Sequence, residues 1–192
     1  MSRRANPLRC ATCRMLDCIC ALVPTLHTRT RLALVVHYRE ARKPTNTGLL
    51  AARALANSRV DIVGDRDRPL ALPIVASGQR GALLFPADDA VPIGDVAIDT
   101  LVVPDGNWRQ AGKFRARVPG LAELPCVRLP DVPVTRYRLR AEPREGGLAT
   151  IEAIAYALRV LEGDGIANQL LAIFDAMVDA TLRARGHSAS TL

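Results

Sequence analysis

The chain has 192 residues, of which 49% are hydrophobic and only 4% are aromatic, and its formal net charge is +7. This length suits a single domain, or one domain with a small appendage, whose core must be built from Leu, Val, Ile and Ala. No run of about 18 apolar residues occurs, so no transmembrane helix is expected. No apolar stretch follows residues 1–4, which argues against a signal peptide. Because the N-terminus leads into cysteines rather than into an apolar stretch, we expect a cytoplasmic protein. Its excess of arginine is compatible with a nucleic-acid partner or with a GC-rich coding sequence.

Cysteines are concentrated near the N-terminus, where four of the five lie within eleven residues: Cys10, Cys13, Cys18 and Cys20. In a reducing compartment, four thiolates at this spacing need a metal ion to relieve their repulsion, and zinc prefers tetrahedral sulfur ligation. We predict a zinc-binding arm over residues 1–27, in which His27 or His37 could replace one sulfur. A redox pair, an iron–sulfur cluster and chance clustering are the alternatives. Cys126 stands alone before an apolar run, which predicts a buried, inert thiol.

Apolar runs alternate with helical patterns through residues 28–192. Strands are predicted at residues 30–37, 60–63, 82–85, 101–103 and 126–129, and helices at residues 49–56 and from about 107 to 117. This alternation predicts an α/β fold with a mostly parallel sheet. In the last third of the chain, two apolar stripes at helical spacing predict two helices separated at residues 163–165, the first with Thr150 as its N-cap.

The most informative segment begins where the strand at residues 101–103 ends. Pro104, Asp105, Gly106 and Asn107 are followed by Trp108, the only tryptophan of the chain. Ligands of open α/β sheets bind at the carboxyl ends of strands, so this loop is a candidate site. The alternative is a plain strand-to-helix turn with Asn107 as N-cap and Trp108 in the core. The chain has no Gly-rich phosphate loop, no Gly-x-Ser-x-Gly elbow and no zinc-protease histidine spacing, which counts against ATP hydrolysis, hydride transfer and serine hydrolysis.

Four segments, in order, resemble the motifs of one known family. They are the cysteine arm, then residues 37–40 with 44–48, then residues 105–111 with Lys113, and finally residues 137–140 with Pro143 and 148–153. In this order they closely resemble the DTW-domain family of tRNA-uridine aminocarboxypropyltransferases, whose Asp-Gly-Thr-Trp loop matches residues 105–108. The resemblance extends from Cys10 to about residue 171. This chain departs from the family pattern at Asn107, where Thr is usual, and at Ala149, where Ser is usual.

The resemblance implies a fold related to the SPOUT methyltransferases, with a mostly parallel sheet and a C-terminal knot, one of the rare knots in proteins. It implies transfer of the 3-amino-3-carboxypropyl group of S-adenosylmethionine to N3 of a uridine in tRNA, with 5′-methylthioadenosine as by-product. The alternatives are a non-catalytic RNA-binding module with a zinc arm and a SPOUT-type RNA methyltransferase. We expect a monomer.

The resemblance also implies a set of site residues. Asp105 is the candidate base for the N3 proton, and its alternative role is to cap the helix or hold the loop. Trp108 either packs against adenine or seals the loop. Arg138 and Arg140 either hold the carboxylate of the co-substrate, or a phosphate, or are solvated strand charges. The full set expected at S-adenosylmethionine is Phe85, Pro86, Val103, Pro104, Gly106, Trp108, Arg138 and Thr150.

Basic residues flank the expected site and would contact RNA phosphates. They are Arg39, Arg42, Lys43, Arg109, Lys113, Arg115 and Arg117. The few aromatic residues indicate recognition by shape and backbone rather than by stacking. N3 is occupied in a paired base, so we expect a flipped uridine.

Overall fold

The computed structural model of the chain describes residues 8–65, 70–131, 133–139 and 147–186. In this part of the chain the strands are β1 (Arg31–His37), β2 (Ser58–Val63), β3 (Gly81–Leu84), β4 (Val91–Pro92), β5 (Thr100–Asp105) and β6 (Cys126–Arg128). The α-helices are α1 (Thr47–Ala54), α2 (Trp108–Arg117), α3 (Thr150–Glu162) and α4 (Asp164–Ala184), and short 3₁₀ turns lie at Cys20–Leu22 and Ile93–Asp95. The strands form one sheet in the order β2-β1-β5-β3-β6-β4.

Every strand pair of this sheet is parallel, which confirms the predicted α/β class with a mostly parallel sheet. Strands β1 and β5 are neighbours inside the sheet, and both are buried along almost their whole length. Strands covered on both faces are apolar without alternation, and for this reason their sequences appear as continuous apolar runs.

Helices cover both faces of the sheet. Leu34 and Val36 of β1 face the layer that contains α1, α3 and α4, whereas Ala33 and Val35 face α2. Side chains alternate across a strand, so these successive residues supply two separate cores. The result is three layers, and the core on the side of α1, α3 and α4 is the larger one.

The N-terminal ends of two helices follow their sequence signals. Asn107 is the N-cap of α2, as in the alternative interpretation of this segment: its side chain accepts a hydrogen bond from the Gln110 N–H, and the Gln110 side chain accepts one from the Asn107 N–H. Helix α1 begins two residues earlier than predicted, because the side chain of Asn46 caps it by accepting from the Leu49 N–H at 2.6 Å.

The prediction that Thr150 caps α3 is wrong. Ala149 occupies the N-cap position and Thr150 is the first helical residue. Ala149 has no side-chain acceptor, and its backbone N–H donates instead to the fully buried carboxylate of Glu152 at 2.8 Å. The Thr150 hydroxyl is thereby left for another partner. The predicted break between the last two helices is confirmed, since Gly163 adopts φ +97°, a conformation that favours glycine.

Strand β4 was not predicted, because two residues are too short to show a pattern of burial. No helix in the part of the chain that the structure describes is long and apolar enough to cross a membrane.

Candidate active site

Asp105 lies at the carboxyl end of β5, beside Val36 of the neighbouring β1. Its carboxylate is only 5% exposed and accepts one hydrogen bond on each oxygen. The Asn46 side-chain amide donates to Oδ2 at 2.5 Å, and the Thr150 hydroxyl donates to Oδ1 at 2.5 Å. The N-terminal ends of α1 and α3 therefore meet at the carboxyl end of the central strand.

The orientation of Asn46 follows from its position as a helix cap. Its carbonyl oxygen accepts from the Leu49 N–H, so its NH₂ group must point the other way, toward Asp105 and the Glu40 carbonyl. One side chain thus begins α1 and fixes one oxygen of the buried carboxylate.

Gly48, in the first turn of α1, allows this close approach. A Cβ atom at this position would lie 3.0 Å from Cγ of Asp105 and 3.1 Å from Cγ2 of Thr150. Both distances are shorter than ordinary van der Waals contacts. The absence of a side chain at residue 48 therefore lets α1 pack directly on the Asp105–Thr150 pair.

Burial raises the pKa of the Asp105 carboxyl above its ordinary value, although the hydrogen bonds from Thr150 and Asn46 lower it. Nearby charges largely oppose one another, since Glu40 raises the pKa of Asp105 and Lys43 lowers it. Burial of this kind disfavours the charged form, and it makes the carboxylate a stronger proton acceptor than one in water.

An aromatic pair lies near the same end of the sheet. Phe85 follows β3 and Trp108 begins α2, and their ring centroids are 6.0 Å apart at 55°. Both side chains are half-buried, as are Pro104 and Gly106, whereas Pro86 is exposed and Val103 belongs to the core. The structure thus brings Phe85, Trp108 and the end of β5 to one edge of the sheet.

Arg138 is placed differently. Its guanidinium is ion-paired with Asp179 of α4 at 2.5 Å, and Arg136 is paired in the same way with Asp175 at 2.9 Å. These two arginines hold their segment against one face of α4, where residues four apart are neighbours. Arg140 lies outside the described residues.

The predicted RNA-contacting residues are largely exposed, but some are already paired. Arg39, Arg42, Arg109, Lys113 and Arg117 are exposed. Lys43 pairs with Glu40 at 2.7 Å, and Arg39 lies over the Tyr38 ring, 5.6 Å from its centroid. Arg115 makes a two-pronged contact with Asp89 at 2.7 and 2.8 Å, which neutralises much of its charge.

His37 is a further candidate site residue, which the sequence analysis named as a replacement zinc ligand and within segment 37–40 but gave no role at this site. It ends β1, and a Cβ on Gly106 would lie 3.7 Å from the His37 Cβ. Burial and the positive charge of Arg39 lower the pKa of the imidazole, which favours the neutral ring at pH 7. Nδ1 accepts from the Arg39 N–H at 3.3 Å, so the ring proton is assigned to Nε2. The available signal was positional, because His37 ends a buried strand as Asp105 does.

The four N-terminal cysteines come together as predicted. Their sulfur atoms all lie within 4.8 Å of one another, with Cys10 Sγ 3.8 Å from Cys20 Sγ and Cys13 Sγ 3.9 Å from Cys18 Sγ. Neither His27 nor His37 belongs to this group. Arg14, inside the first loop, adopts φ +59°, and its N–H donates to the Cys10 carbonyl, which closes a tight turn around the sulfurs. A tetrahedral metal ion is compatible with such a cluster.

The sulfur atoms perturb one another's ionisation. Backbone N–H groups of Cys13 and Thr12 lower the pKa of Cys10 to about 6. The Cys20 N–H lowers the pKa of Cys18, but contacts with the Cys10 and Cys20 sulfurs and desolvation raise it, and the net value is about 12. Four thiolates at these distances would repel one another, and a cation between them would relieve this repulsion. Cys126 is buried, and burial raises the pKa of its thiol, in agreement with an inert side chain.

Comparison with known proteins identifies the family of the chain. A family model described as the DTW domain matches residues 7–182. The tRNA-uridine aminocarboxypropyltransferase 2 of Drosophila melanogaster is 28% identical over 80% of this chain and 66% of its own length. The protein of the same name from Macaca fascicularis is 26% identical over 88% of this chain and 60% of its own length. This chain therefore spans 60–66% of the length of these two relatives.

A solved structure has a related fold. The SAM-dependent rRNA:acp-transferase Tsr3 from Vulcanisaeta distributa superimposes with a TM-score of 0.53 at 16% identity, covering 82% of this chain and 81% of that one. The family model spans almost all of the sequence, including the cysteine cluster and the three segments that meet at Asp105. The chain belongs to the DTW domain family.

Proposed function

We propose that this chain transfers the 3-amino-3-carboxypropyl group of S-adenosylmethionine to N3 of a uridine in tRNA and releases 5′-methylthioadenosine. The observation that carries the proposal is the buried Asp105 centre at the carboxyl end of a parallel strand, in a chain of the DTW domain family. The names of the two relatives support aminocarboxypropyl transfer to a uridine of tRNA, and the family resemblance implies S-adenosylmethionine and the N3 position. The proposal includes a SPOUT-like arrangement with a C-terminal knot, a catalytic domain over residues 28–192, and action as a cytoplasmic monomer.

The edge of the sheet next to Asp105 fits S-adenosylmethionine. Ligands of open parallel sheets bind at the carboxyl ends of the strands. Phe85 and Trp108 offer an apolar wall for the adenine ring, and the main chain of Pro86, Val103, Pro104 and Gly106 offers polar groups beside it. Thr150 reaches this edge with its hydroxyl on Asp105. Arg138 would reach the co-substrate only by leaving Asp179.

The chemistry requires in-line positioning and a proton acceptor. When bound, S-adenosylmethionine supplies a carbon–sulfur bond that is already activated by the sulfonium charge. Uridine N3 forms a bond to the aminocarboxypropyl methylene carbon, the carbon–sulfur bond breaks, and its electron pair remains on sulfur. We assign the N3 proton to Asp105, whose pKa is raised by burial. Asn46 and Thr150 hold the carboxylate in place, and Gly48 keeps both helix ends close to it.

The cysteine cluster has the ligand set of a structural zinc site. Four sulfurs within 4.8 Å are the donor set of a closed tetrahedral site, which contributes to folding rather than to chemistry. Cys10, Cys13, Cys18 and Cys20 would hold the ion in the N-terminal arm.

The decisive experiment is incubation of the protein with S-adenosylmethionine and tRNA, followed by mass spectrometry of the digested nucleosides and of the small-molecule product. We expect a uridine heavier by one aminocarboxypropyl group and an equal amount of 5′-methylthioadenosine. S-adenosylhomocysteine and a methylated nucleoside would replace this proposal with an RNA methyltransferase. Tight tRNA binding without either product would favour a non-catalytic RNA-binding module.

A further inference from the structure

A groove of about 80 Å³ separates the cysteine arm from the loop that leads into α1. Its floor includes Met15, Ile19 and Met177, which are all buried, and its rim carries the cationic side chains of Arg14, Lys43 and Arg53. None of the described residues that line it is acidic. The groove is thus apolar below and positive above.

This positive charge exceeds the local negative charge. Glu40 pairs with Lys43, and Arg53 donates to Cys20 Sγ at 3.3 Å. A zinc ion bound by four thiolates would carry a formal charge of about −2. The exposed Arg9 and Arg42 lie next to the rim residues, since Arg9 donates to the Arg14 carbonyl and Arg14 donates to the Arg42 carbonyl. Five cations therefore face the Glu40 carboxylate and a dianionic cluster, and Asp105 adds one further negative charge behind Asn46. The surface remains net positive.

The groove lies next to the Asp105 centre. Asn46 lines the wall of the groove and also donates a hydrogen bond to Asp105. A ligand lying in the groove would therefore be separated from the Asp105 carboxylate by one side chain. The Arg14 guanidinium also donates to the Ala41 carbonyl, which fixes the cysteine arm against the loop that carries Lys43 and Asn46. These hydrogen bonds hold the cysteine arm, on one side of the groove, against the loop on its other side.

We propose that this groove binds a phosphate-bearing stretch of the RNA substrate next to the target uridine, with Lys43 and Arg53 on its phosphates and the apolar floor under a base. The inference rests on the proposed function for the identity of the RNA. It gives the cysteine arm a role in substrate binding as well as in folding. RNA is the occupant favoured by the charge of the rim and by the position of the groove beside Asp105, because phosphates supply regular negative charge along a nucleic-acid strand.

The test measures binding of unmodified tRNA at several salt concentrations, which requires no turnover. We compare the wild type with Lys43→Gln, Arg53→Gln and Arg53→Lys. Arg31→Gln is the matched control, because Arg31 lies at the amino end of β1, whereas the Asp105 centre lies at the carboxyl ends of the strands. Arg53→Gln should lower the slope of log affinity against log salt by about 0.7–0.9, the value of one phosphate contact. Lys43→Gln should lower it by less, because Glu40 already compensates part of the charge of Lys43. Arg53→Lys should keep most of the slope, and Arg31→Gln should keep all of it.

The metal content and the S-adenosylmethionine affinity of each variant are measured as controls. They distinguish the loss of an RNA contact from damage to the fold of the cysteine arm. We expect both to be unchanged while the affinity for tRNA falls. An unchanged salt slope in Lys43→Gln and Arg53→Gln would overturn the inference even in an active enzyme. Loss of metal in Arg53→Gln, with restoration of tRNA binding by added zinc, would also overturn it. If Lys43→Gln and Arg53→Gln weakened the binding of polyglutamate but not of tRNA, the groove would be a site for an acidic protein instead. A protein that binds tRNA through the groove but gives no product would refute the proposed function alone.

Discussion

Both hydrogen bonds on the Asp105 carboxylate come from neutral groups, the amide of Asn46 and the hydroxyl of Thr150. Neutral donors orient a carboxylate without the strong pKa depression that an arginine partner would cause. Burial can therefore raise the pKa of Asp105 while the geometry remains fixed. This combination suits a general base, whose proton affinity is better matched to its task when it exceeds that of a carboxylate in water.

Asp105→Asn tests this role with little change of shape. The new amide can still accept from Asn46, and its NH₂ can donate to the Thr150 oxygen. We expect kcat to fall by about 10²–10⁴-fold, with the affinity for S-adenosylmethionine nearly unchanged, and higher pH should partly rescue the rate as N3 of uridine ionises by itself. Loss of co-substrate affinity without rescue at high pH would mean that Asp105 only holds the loop.

The stability of the same variant provides the control. Because the pKa of Asp105 is higher in the folded chain than in the unfolded chain, its carboxyl contributes stability below its ordinary pKa and loses that contribution as pH rises through the folded value. The Asn variant should therefore melt no lower than the wild type at pH 7. A marked loss of melting temperature would attribute its inactivity to misfolding.

Thr150→Val should move the pH profile. The Thr150 hydroxyl lowers the pKa of Asp105, so its removal raises that pKa further, and a base must be deprotonated to act. We expect the acidic limb of the kcat–pH profile to move to higher pH. The variant should also lose about 1.5–3 kcal/mol of stability, because a hydrogen bond to a charged group is lost. Thr181→Val, whose hydroxyl bonds to the Met177 carbonyl on α4, should keep the wild-type limb.

At the scale of elements, α1 and α3 are arranged so that their first turns meet at the end of β5. Thr47 contributes to this junction, because its hydroxyl lies 3.5 Å from the Ile151 backbone N–H in the first turn of α3. The two helices also share one apolar core through Leu50 and Ile154. The position of the candidate base therefore depends on how these helices pack.

Gly48→Ala tests this packing. The added Cβ would lie 3.0 Å from Asp105 Cγ, so α1 must move away from the site. We expect a loss of about 1–3 kcal/mol of stability, as for overpacking elsewhere, together with a fall in turnover. In Gly94→Ala the Cβ would lie 3.6 Å from Val160 Cγ1, an ordinary contact, and this variant should resemble the wild type. Equal behaviour of the two variants would contradict the close-approach argument.

The cysteine arm should depend on a metal ion. Purified protein should contain about one zinc per chain, and Cys10→Ser should lose most of it and melt at a lower temperature. Cys126→Ala is the control, since this buried thiol lies outside the cluster and its variant should keep the zinc. A metal-free wild type of full stability would contradict this prediction, and iron with visible absorbance would favour an iron–sulfur cluster.

For the whole molecule, the net charge of +7 matters less than which cations are unpaired. On α2, Arg115 is bound to Asp89, whereas Lys113 and Arg117 are exposed. Replacement of both exposed residues by Gln should lower the salt slope of tRNA binding by about 1.4–1.8, from two phosphate contacts. Arg115→Gln should change it less, because the charge of Arg115 is already compensated. A larger effect of Arg115 would contradict this assignment.

The sequence alone determined the local features of this protein. Buried central strands are apolar throughout, the capping box at Asn107 needs only residues three apart, and the cysteines lie within eleven residues, so each signal was complete within a short window. The tertiary structure decided which distant groups meet. Asn46 and Thr150 are 59 and 45 residues from Asp105, and only packing of α1 and α3 on the sheet brings them to its oxygens. Thr150 binds Asp105 instead of capping α3, and Arg115 pairs with Asp89. Both contacts likewise depend on distances between segments that spacing along the chain does not encode.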